Sequence, residues 1–198
     1  GAWLVKFRHT YDPKDMGVME YQYNEIARKC GITVPDYKLM NGKYFSTKRF
    51  DIEHGERLHI ATAGAILNES IMQPKLEYKT LLHLTGYLTQ DPKQVAEMFR
   101  RMVFNVLTDN KDDHAKNFSF ICREGTWSLA PAYDLTRCSN GYNGEHATSV
   151  NNNGNPTIED MLVVGESIRI PRKKGTDIIM SIAEECSEIL STEYKRII

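Results

Sequence analysis

The stretch 110–117 concentrates groups that can do chemistry: two carboxylates, one imidazole, two amines and two amides within eight residues. It follows an apolar run with helical spacing and precedes the strand-like run 118–121, so we expect a polar loop on rigid supports, a common place for catalytic groups. Asp112 stands five residues before Asn117, and Asp134 follows two short strand-like runs. Phosphoryl-transfer sites of kinases have the same order of groups along the chain: a proton-accepting carboxylate comes first, and an amide and a second carboxylate that bind Mg²⁺ follow. The alternative is a charged surface turn.

The composition is that of an ordinary globular chain. Its 198 residues are 41% hydrophobic and 26% charged, enough for a core in one large or two small domains. The net charge of −1 gives no electrostatic footprint for nucleic acid or a membrane, and no run approaches membrane-spanning length. The four cysteines are widely spaced and form no Cys-x-x-Cys pair, which argues against a zinc site or a disulfide framework. We therefore expect a cytoplasmic protein.

Two charged residues precede the loop in elements that could bring them together. Lys6 lies in the strand-like run 3–7, and Glu20 lies in the first half of a predicted helix that ends at Gly31, a residue suited to a helix C-terminus. In kinases a strand lysine held by a helix glutamate contacts the nucleotide phosphates. Taken alone, the two residues could equally be solvated surface charges.

A hairpin and a crossing between lobes are predicted next. Asn41-Gly42 joins the strand-like runs 37–40 and 44–47, which is a strong hairpin signal. The second run passes into 48–51, where the chain should cross from a small sheet-bearing lobe to a helical lobe. The small apolar run 59–67 then predicts the first helix of that second lobe.

Further helices should complete the second lobe. The leucine-rich run 75–88 predicts one, and the stretch 91–94, Asp-Pro-Lys-Gln, predicts the capping-box start of another. The segment 137–155 is rich in Asn and Gly, which predicts a mobile or substrate-facing loop, with a tolerated surface insertion as the alternative. The last helix is expected to start at Thr176 or Asp177.

Together these motifs resemble the HipA family of serine/threonine kinases, the toxins of bacterial toxin–antitoxin pairs. The resemblance runs from Lys6 to Asp134, with similar helices beyond. The matching motifs, in chain order, are Trp3-Leu4-Val5-Lys6-Phe7, Glu20 ahead of Ile26-Ala27, Arg49-Phe50-Asp51, Asn110-x-Asp112-x-His114-x-Lys116-Asn117-Phe118-Ser119, and Pro131-Ala132-Tyr133-Asp134-Leu135.

The resemblance implies an α+β, protein-kinase-like fold with two lobes. Residues 1–51 would form a truncated small sheet lobe, with one helix and the hinge, and residues 52–198 a larger, mainly α-helical lobe with the catalytic loop. The implied activity is transfer of phosphate from ATP to a serine or threonine of a protein. Family targets include aminoacyl-tRNA synthetases, so the implied outcome is growth arrest. The implied partner is a DNA-binding antitoxin. The chain itself would contact nucleic acid only indirectly, through this antitoxin.

The resemblance also implies roles by position. Asp112 would be the catalytic base, and Lys116 would offset charge on the transferred phosphate. Asn117 and Asp134 would hold Mg²⁺. The implied ATP-binding residues are Lys6, Glu20, Lys48, Arg49, Phe50, His114, Ala115, Lys116, Asn117, Tyr133 and Asp134.

Several alternatives stay open from the sequence. Lys116 could instead pair with Asp112 or Asp113, and His114 is favoured as a packed structural histidine, because phosphoryl transfer needs no imidazole. The protein could be a catalytically weak nucleotide-binding module, or a metal-dependent phosphohydrolase that uses Asp112, Asp113 and His114. No Gly-rich phosphate loop precedes Lys6 in the chain as given. We therefore expect this chain alone to bind ATP weakly, with an upstream segment or a separate N-terminal protein completing the lobe.

Overall fold

A three-stranded antiparallel sheet and one long helix form the N-terminal part of the computed structural model, which describes residues 1–10, 13–70, 72–187 and 189. The sheet has the order β1-β3-β2, and its hairpin confirms the prediction from Asn41-Gly42. Both turn residues have positive φ, 51° and 64°, and the Lys43 N–H donates to the Met40 carbonyl at 3.0 Å. The elements are β1 (Trp3–Val5), α1 (Met16–Lys29), β2 (Tyr37–Met40) and β3 (Tyr44–Lys48).

Helix α1 ends where the sequence predicts. Gly31 has a φ of 73°, its N–H donates to the Arg28 carbonyl at 3.1 Å, and the Ile32 N–H donates to the Ala27 carbonyl at 3.0 Å. This is the Schellman arrangement that satisfies the last carbonyls of a helix. The helix buries Tyr23 and Ala27 in the core and carries the buried Glu20 near its start.

A second three-stranded sheet lies in the larger part of the molecule. After the short hairpin of β4 (Ile52–Glu53) and β5 (Glu56–Arg57), the chain forms β6 (His59–Thr62), which pairs with β7 (Ser119–Arg123), and β7 pairs with β8 (Thr126–Leu129). The prediction of a helix over 59–67 is therefore wrong for its first four residues. Small apolar residues suit either state, and pairing with β7 decides for a strand; only α2 (Ala63–Leu67) is helical.

Four helices surround the main core, and their bounds are α3 (Tyr78–Thr89), α4 (Pro92–Leu107), α5 (Ile158–Ser167) and α6 (Arg172–Cys186). The side chains at its centre are at most 2% exposed and include Phe99, Met102, Met161, Ile179 and Ile182. The Asp91 carboxylate caps α4 by accepting from the Lys93 N–H at 2.9 Å, as predicted. Gln94 does not close a capping box on the Asp91 backbone; its side chain donates to the Asp91 carboxylate and accepts from the Leu129 N–H.

The predicted start of the last helix at Thr176 or Asp177 is wrong, because α6 begins at Arg172. Gly175 lies inside α6, although glycine is unfavourable in the interior of a helix. A Cβ at this glycine would stand 3.1 Å from the Leu162 side chain, so the glycine allows α6 to pack closely on α5.

The segment 137–155 is not a surface insertion along its whole length. Its residues His146, Thr148 and Val150 are buried, and the Ser149 carbonyl accepts from the Tyr78 N–H at 2.9 Å. This part of the segment is therefore anchored to α3. Among the helices described, none is long and apolar enough to cross a membrane.

Candidate active site

A cavity of about 420 Å³ lies between the N-terminal sheet and the segment that follows β8. This volume is within the range of small-molecule sites, which combine an apolar lining with a few converging polar groups. The apolar lining comes mainly from Leu4, Phe45, Phe50, Ala132 and Leu135, and the charged lining from Lys6, Glu20, Lys48, Arg49, Asp51 and Asp134.

The structure brings Lys6, Glu20 and Asp134 together at one end of this cavity. The Lys6 Nζ lies 2.9 Å from the Glu20 Oε1 and also contacts the Asp134 carboxylate. Lys6 directly follows strand β1 and Glu20 lies in α1, so their pairing depends on how α1 packs on the sheet. Burial lowers the pKa of Lys6, but its attraction to the two carboxylates outweighs burial and raises the pKa above its ordinary value. The amine is therefore held charged where an anionic ligand would bind.

Two stacked aromatic rings, Phe50 and Tyr133, connect residues 48–51 to the polar loop 110–117. Phe50 stacks on Tyr133 with ring centroids 5.7 Å apart and an interplanar angle of 22°. The Tyr133 hydroxyl donates to the Lys116 carbonyl at 2.7 Å and lies 2.5 Å from the Ser119 hydroxyl. Burial raises the pKa of Tyr133, which keeps it a donor at neutral pH. Tyr133 thus connects the cavity wall to the loop that carries Asp112.

Lys48 and Arg49, two of the implied ATP-binding residues, both line the cavity, and each has a carboxylate partner. Lys48 Nζ lies 3.3 Å from the Asp36 carboxylate, and the Arg49 guanidinium contacts the Asp51 carboxylate. The Lys48–Asp36 pair is about half exposed or more, so it contributes little to stability, whereas the Arg49 and Asp51 side chains are only about one-third exposed.

The loop 110–117 closes on itself through Asn117. Its side-chain Nδ2 donates to the Asp112 carbonyl at 2.8 Å, which leaves the Oδ1 as an available ligand atom. A short 3-10 turn, Ala115–Asn117, sets this contact, and buried Ala115 packs so closely on α2 that a Cβ at Gly64 would lie 3.3 Å from it. The five-residue spacing therefore folds the amide back beside the carboxylate-bearing residue.

The Asp112 carboxyl is more than half exposed, with 58% of its side-chain surface accessible. Partial burial raises its pKa, the nearby Asp134 and Asp113 carboxylates act in the same direction, and His114 opposes them. A raised pKa makes a carboxylate a better proton acceptor.

Lys116 is exposed and forms no ion pair with Asp112 or Asp113 in the described part of the chain, so the pairing alternative for this lysine is wrong. His114 lies with its Nε2 3.9 Å from the Asp112 Oδ1, while its Nδ1 is buried without a hydrogen-bond partner among the residues described.

Asp113 belongs to the protein interior rather than to the cavity. It is 1% exposed, and its carboxylate accepts from the Tyr78 hydroxyl at 2.8 Å, the His146 Nδ1 at 2.9 Å and the Thr148 N–H at 3.2 Å. These donors engage the carboxylate, so the structure does not offer Asp112, Asp113 and His114 as a shared metal site. The sequence alone did not identify Tyr78 or His146 as partners, since each lies more than thirty positions from Asp113.

Asp134 and Asn117 offer the kind of oxygen ligand that Mg²⁺ takes. The Asp134 side chain is 44% exposed, and the two residues line one small cavity.

The fold and this cavity define a protein-kinase-like domain. The chain belongs to the family of the HipA-like C-terminal domain, whose model matches residues 1–190.

Solved structures are similar over nearly the whole chain. HipA of Shewanella oneidensis MR-1, solved in complex with HipB and its operator DNA, matches with a TM-score of 0.78 at 18% identity, covering 99% of this chain and 52% of that one. The Helicobacter pylori proinflammatory kinase CtkA matches with a TM-score of 0.61 at 16% identity, covering 98% of this chain and 90% of that one. Both confirm the predicted kinase-like fold.

Among curated proteins, Y4dM of Sinorhizobium fredii, whose name marks its kinase activity as inferred, is 28% identical over 172 residues. The match covers 76% of this chain and 41% of Y4dM. The chain thus spans about half of the Shewanella HipA chain and less than half of Y4dM.

Proposed function

We propose that this domain is an ATP-dependent serine/threonine protein kinase that uses Mg²⁺. The observation that carries the proposal is that two separate units meet at Asp134, which lines a small cavity together with Asn117 and whose charge raises the pKa of Asp112. One unit is the Lys6–Glu20 pair in contact with Asp134, and the other is the turn that folds Asn117 back onto Asp112. Phosphoryl transfer needs positioning and charge neutralisation, and these are the groups that supply both.

The proposed roles follow from chemistry and exposure. Asp112 orients the attacking hydroxyl and accepts its proton, a task for which its raised pKa suits it. Lys6 and the exposed Lys116 neutralise phosphate charge. Asn117 and Asp134 are the proposed ligands of Mg²⁺, which when bound would neutralise charge on the phosphates.

The adenine is proposed to lie along the apolar lining beside Phe50 and Tyr133. His114 and Ala115 lie at the start of the turn that would face the phosphates, and we propose that His114 supports this turn by packing.

The proposed macromolecular partners are a protein substrate and an antitoxin. The Shewanella HipA was solved with HipB and operator DNA, which supports a DNA-binding antitoxin as the partner of this domain too. An aminoacyl-tRNA synthetase is the first substrate to test, with growth arrest as the expected outcome. We propose a cytoplasmic location, where ATP and such a substrate occur together.

Transfer of radiolabel from [γ-³²P]ATP tests the proposal. The purified chain should label a protein substrate, and phosphoamino acid analysis should show phosphoserine or phosphothreonine. Asp112→Asn should abolish labelling while the melting curve stays cooperative. Glu159→Gln is the matched control, because it makes the same carboxylate-to-amide change at an exposed ion pair with Arg172, on the α5–α6 pair. Full labelling by Asp112→Asn, or loss of labelling in the control, would contradict the assignment of Asp112.

A nucleotide-binding domain with little catalytic activity is the second candidate. The contact between Lys6 and Asp134 favours it, because this contact engages a carboxylate that the metal needs. Calorimetry distinguishes the two candidates: ATP binding without phosphate transfer to any substrate supports the second.

A further inference from the structure

A chain of buried hydrogen bonds links the two halves of the proposed site. The Asp134 carbonyl accepts from the Asn110 Nδ2 at 3.1 Å, and the same Nδ2 donates to the Asn105 Oδ1 at 3.0 Å. The Asn105 Nδ2 donates to the Tyr78 hydroxyl at 3.0 Å, and that hydroxyl donates to the Asp113 Oδ2 at 2.8 Å.

The direction of every bond in this chain is fixed. A peptide carbonyl only accepts, so the Asn110 Nδ2 must face Asp134, and the Asn105 Oδ1 must then face Asn110. The Asn105 Nδ2 therefore donates to Tyr78, whose own proton goes to Asp113. The Asp113 carboxylate ends the chain as an acceptor. No second arrangement of hydrogens satisfies these pairs, so the network specifies one geometry.

The two ends of the chain are the backbones that carry the proposed chemistry. At one end, Asp134 has a left-handed φ of 52°, which a residue with a side chain adopts at a cost unless its surroundings hold it. At the other end, Asp113 directly follows Asp112. The linking residues Tyr78, Asn105 and Asn110 are at most 3% exposed and do not line the large cavity.

We propose that Asn110, Asn105 and Tyr78 are positioning residues that set where the Asp134 carboxylate stands relative to the turn of Asp112 and Asn117. None of the three lines the cavity proposed for the nucleotide. Their catalytic consequence rests on the kinase proposed above, whereas their effect on divalent-metal binding is measurable without any turnover. Packing alone would not require them, since apolar side chains of similar shape fill a core at least as well as a buried polar network.

Asn110→Asp is the sharpest variant. It keeps the shape of the side chain but replaces the donor by an oxygen, which then faces the Asp134 carbonyl and the Asn105 Oδ1. Tyr78→Phe is the milder second variant, because it removes one hydroxyl from the middle of the chain. Thr85→Val is the control: this buried α3 hydroxyl donates only to the Leu81 carbonyl at 2.8 Å and belongs to no part of the network.

The readout is Mn²⁺ binding by electron paramagnetic resonance in the presence of a non-hydrolysable ATP analogue. Losses of residues that orient metal ligands commonly cost about 10- to 100-fold in metal affinity, and we expect a shift of this size in the Mn²⁺ midpoint for Asn110→Asp and a smaller one for Tyr78→Phe. The affinity for the analogue without metal should stay unchanged in both variants, and Thr85→Val should behave as wild type.

An unchanged Mn²⁺ midpoint in folded Tyr78→Phe and Asn110→Asp would overturn the positioning role, as would a wild-type chain that binds no Mn²⁺ with the analogue. If Asn110→Asp does not fold, the result for Tyr78→Phe decides. A wild type that binds Mn²⁺ with the expected variant shifts, yet transfers no phosphate, would leave the positioning role standing and defeat the proposed kinase activity alone.

Discussion

Replacing Lys6 by methionine should separate stability from activity at the head of the cavity. Lys6→Met keeps an unbranched apolar side chain but removes the cation that Glu20 and Asp134 share. Asp134 is 44% exposed and water can solvate its carboxylate, whereas the Glu20 side chain is only 9% exposed. The cost therefore falls on Glu20, a buried charge that loses the Lys6 amine.

The size of the loss follows from the geometry of the pair. At the 2.9 Å separation of Nζ and Oε1, the gross attraction is about 6 kcal/mol at an effective dielectric constant of about 20, before desolvation is subtracted. Breaking a fully buried pair costs about 3–5 kcal/mol, and an exposed pair is worth less than about 1 kcal/mol. The Lys6 side chain is one-third exposed, so we expect Lys6→Met to lower the free energy of unfolding by about 2 kcal/mol.

The double variant Lys6→Met/Glu20→Gln gives the decisive comparison. Its buried group is neutral, so urea unfolding should show a recovery of about 1 kcal/mol relative to Lys6→Met. Phosphate transfer should stay lost in both, because neither retains the amine that we propose contacts the phosphates. A double variant as unstable as Lys6→Met would refute the argument that the buried Glu20 charge, once it has lost the Lys6 amine, causes the instability. Transfer at the wild-type rate by Lys6→Met would refute the role of Lys6.

Three further predictions concern Asp112, the metal ligands and α5. Asp112→Asn should raise the melting temperature at pH 7, because partial burial raises the pKa of Asp112 and makes its ionised form less favourable in the folded state. This gain in melting temperature should vanish below about pH 4, where the carboxyl is protonated in both the folded and the unfolded protein. An equal gain at pH 3 would contradict this cause. Asn117→Ala and Asp134→Ala should each raise the Mg²⁺ concentration needed for nucleotide binding by more than about tenfold in calorimetry, and unchanged midpoints would exclude them as ligands. Burial raises the pKa of Asp160, but hydrogen bonds, including those with Thr157 at the N-cap of α5, lower it to about 2. In urea unfolding, Asp160→Asn should therefore be less stable than wild type above about pH 4. This difference in stability should shrink as the pH falls through about 2.

Local spacing accounts for several contacts around the candidate site. The contact of Asn117 with Asp112 spans five residues, and the turn chemistry of Asn41-Gly42 decides its hairpin within four. The pairing of Lys6 with Glu20 spans fourteen residues and was predictable from the order of a strand and a helix, once the resemblance to kinases supplied the packing. These features depend on short segments whose conformations the sequence largely determines.

Long-range pairing was not predictable in the same way. Tyr78 and Asn105 lie on helices that the sequence predicts as apolar core, and their partners are 35 and 27 positions away. A lone Asn in an apolar helical stripe was the only available signal, and it does not name a partner. Likewise, pairing with β7 decides that residues 59–62 form a strand, and Gly175 inside α6 allows this helix to pack closely on α5.

Asp134 makes one contact through its backbone carbonyl and another through its carboxylate. In the proposed reaction, nucleotide and metal binding would leave the first contact in place and break the second. Its carbonyl accepts a hydrogen bond from Asn110, whose side chain is buried and held by its neighbours. Its carboxylate contacts Lys6, which is more exposed and also bound to Glu20. In the proposed reaction, Lys6 must release Asp134 to the metal and turn to a phosphate. The amine keeps one carboxylate partner throughout and exchanges one anion for another, so the exchange costs little charge separation. The rigid backbone contact and the exchangeable side-chain contact together let Asp134 change partners without losing its position.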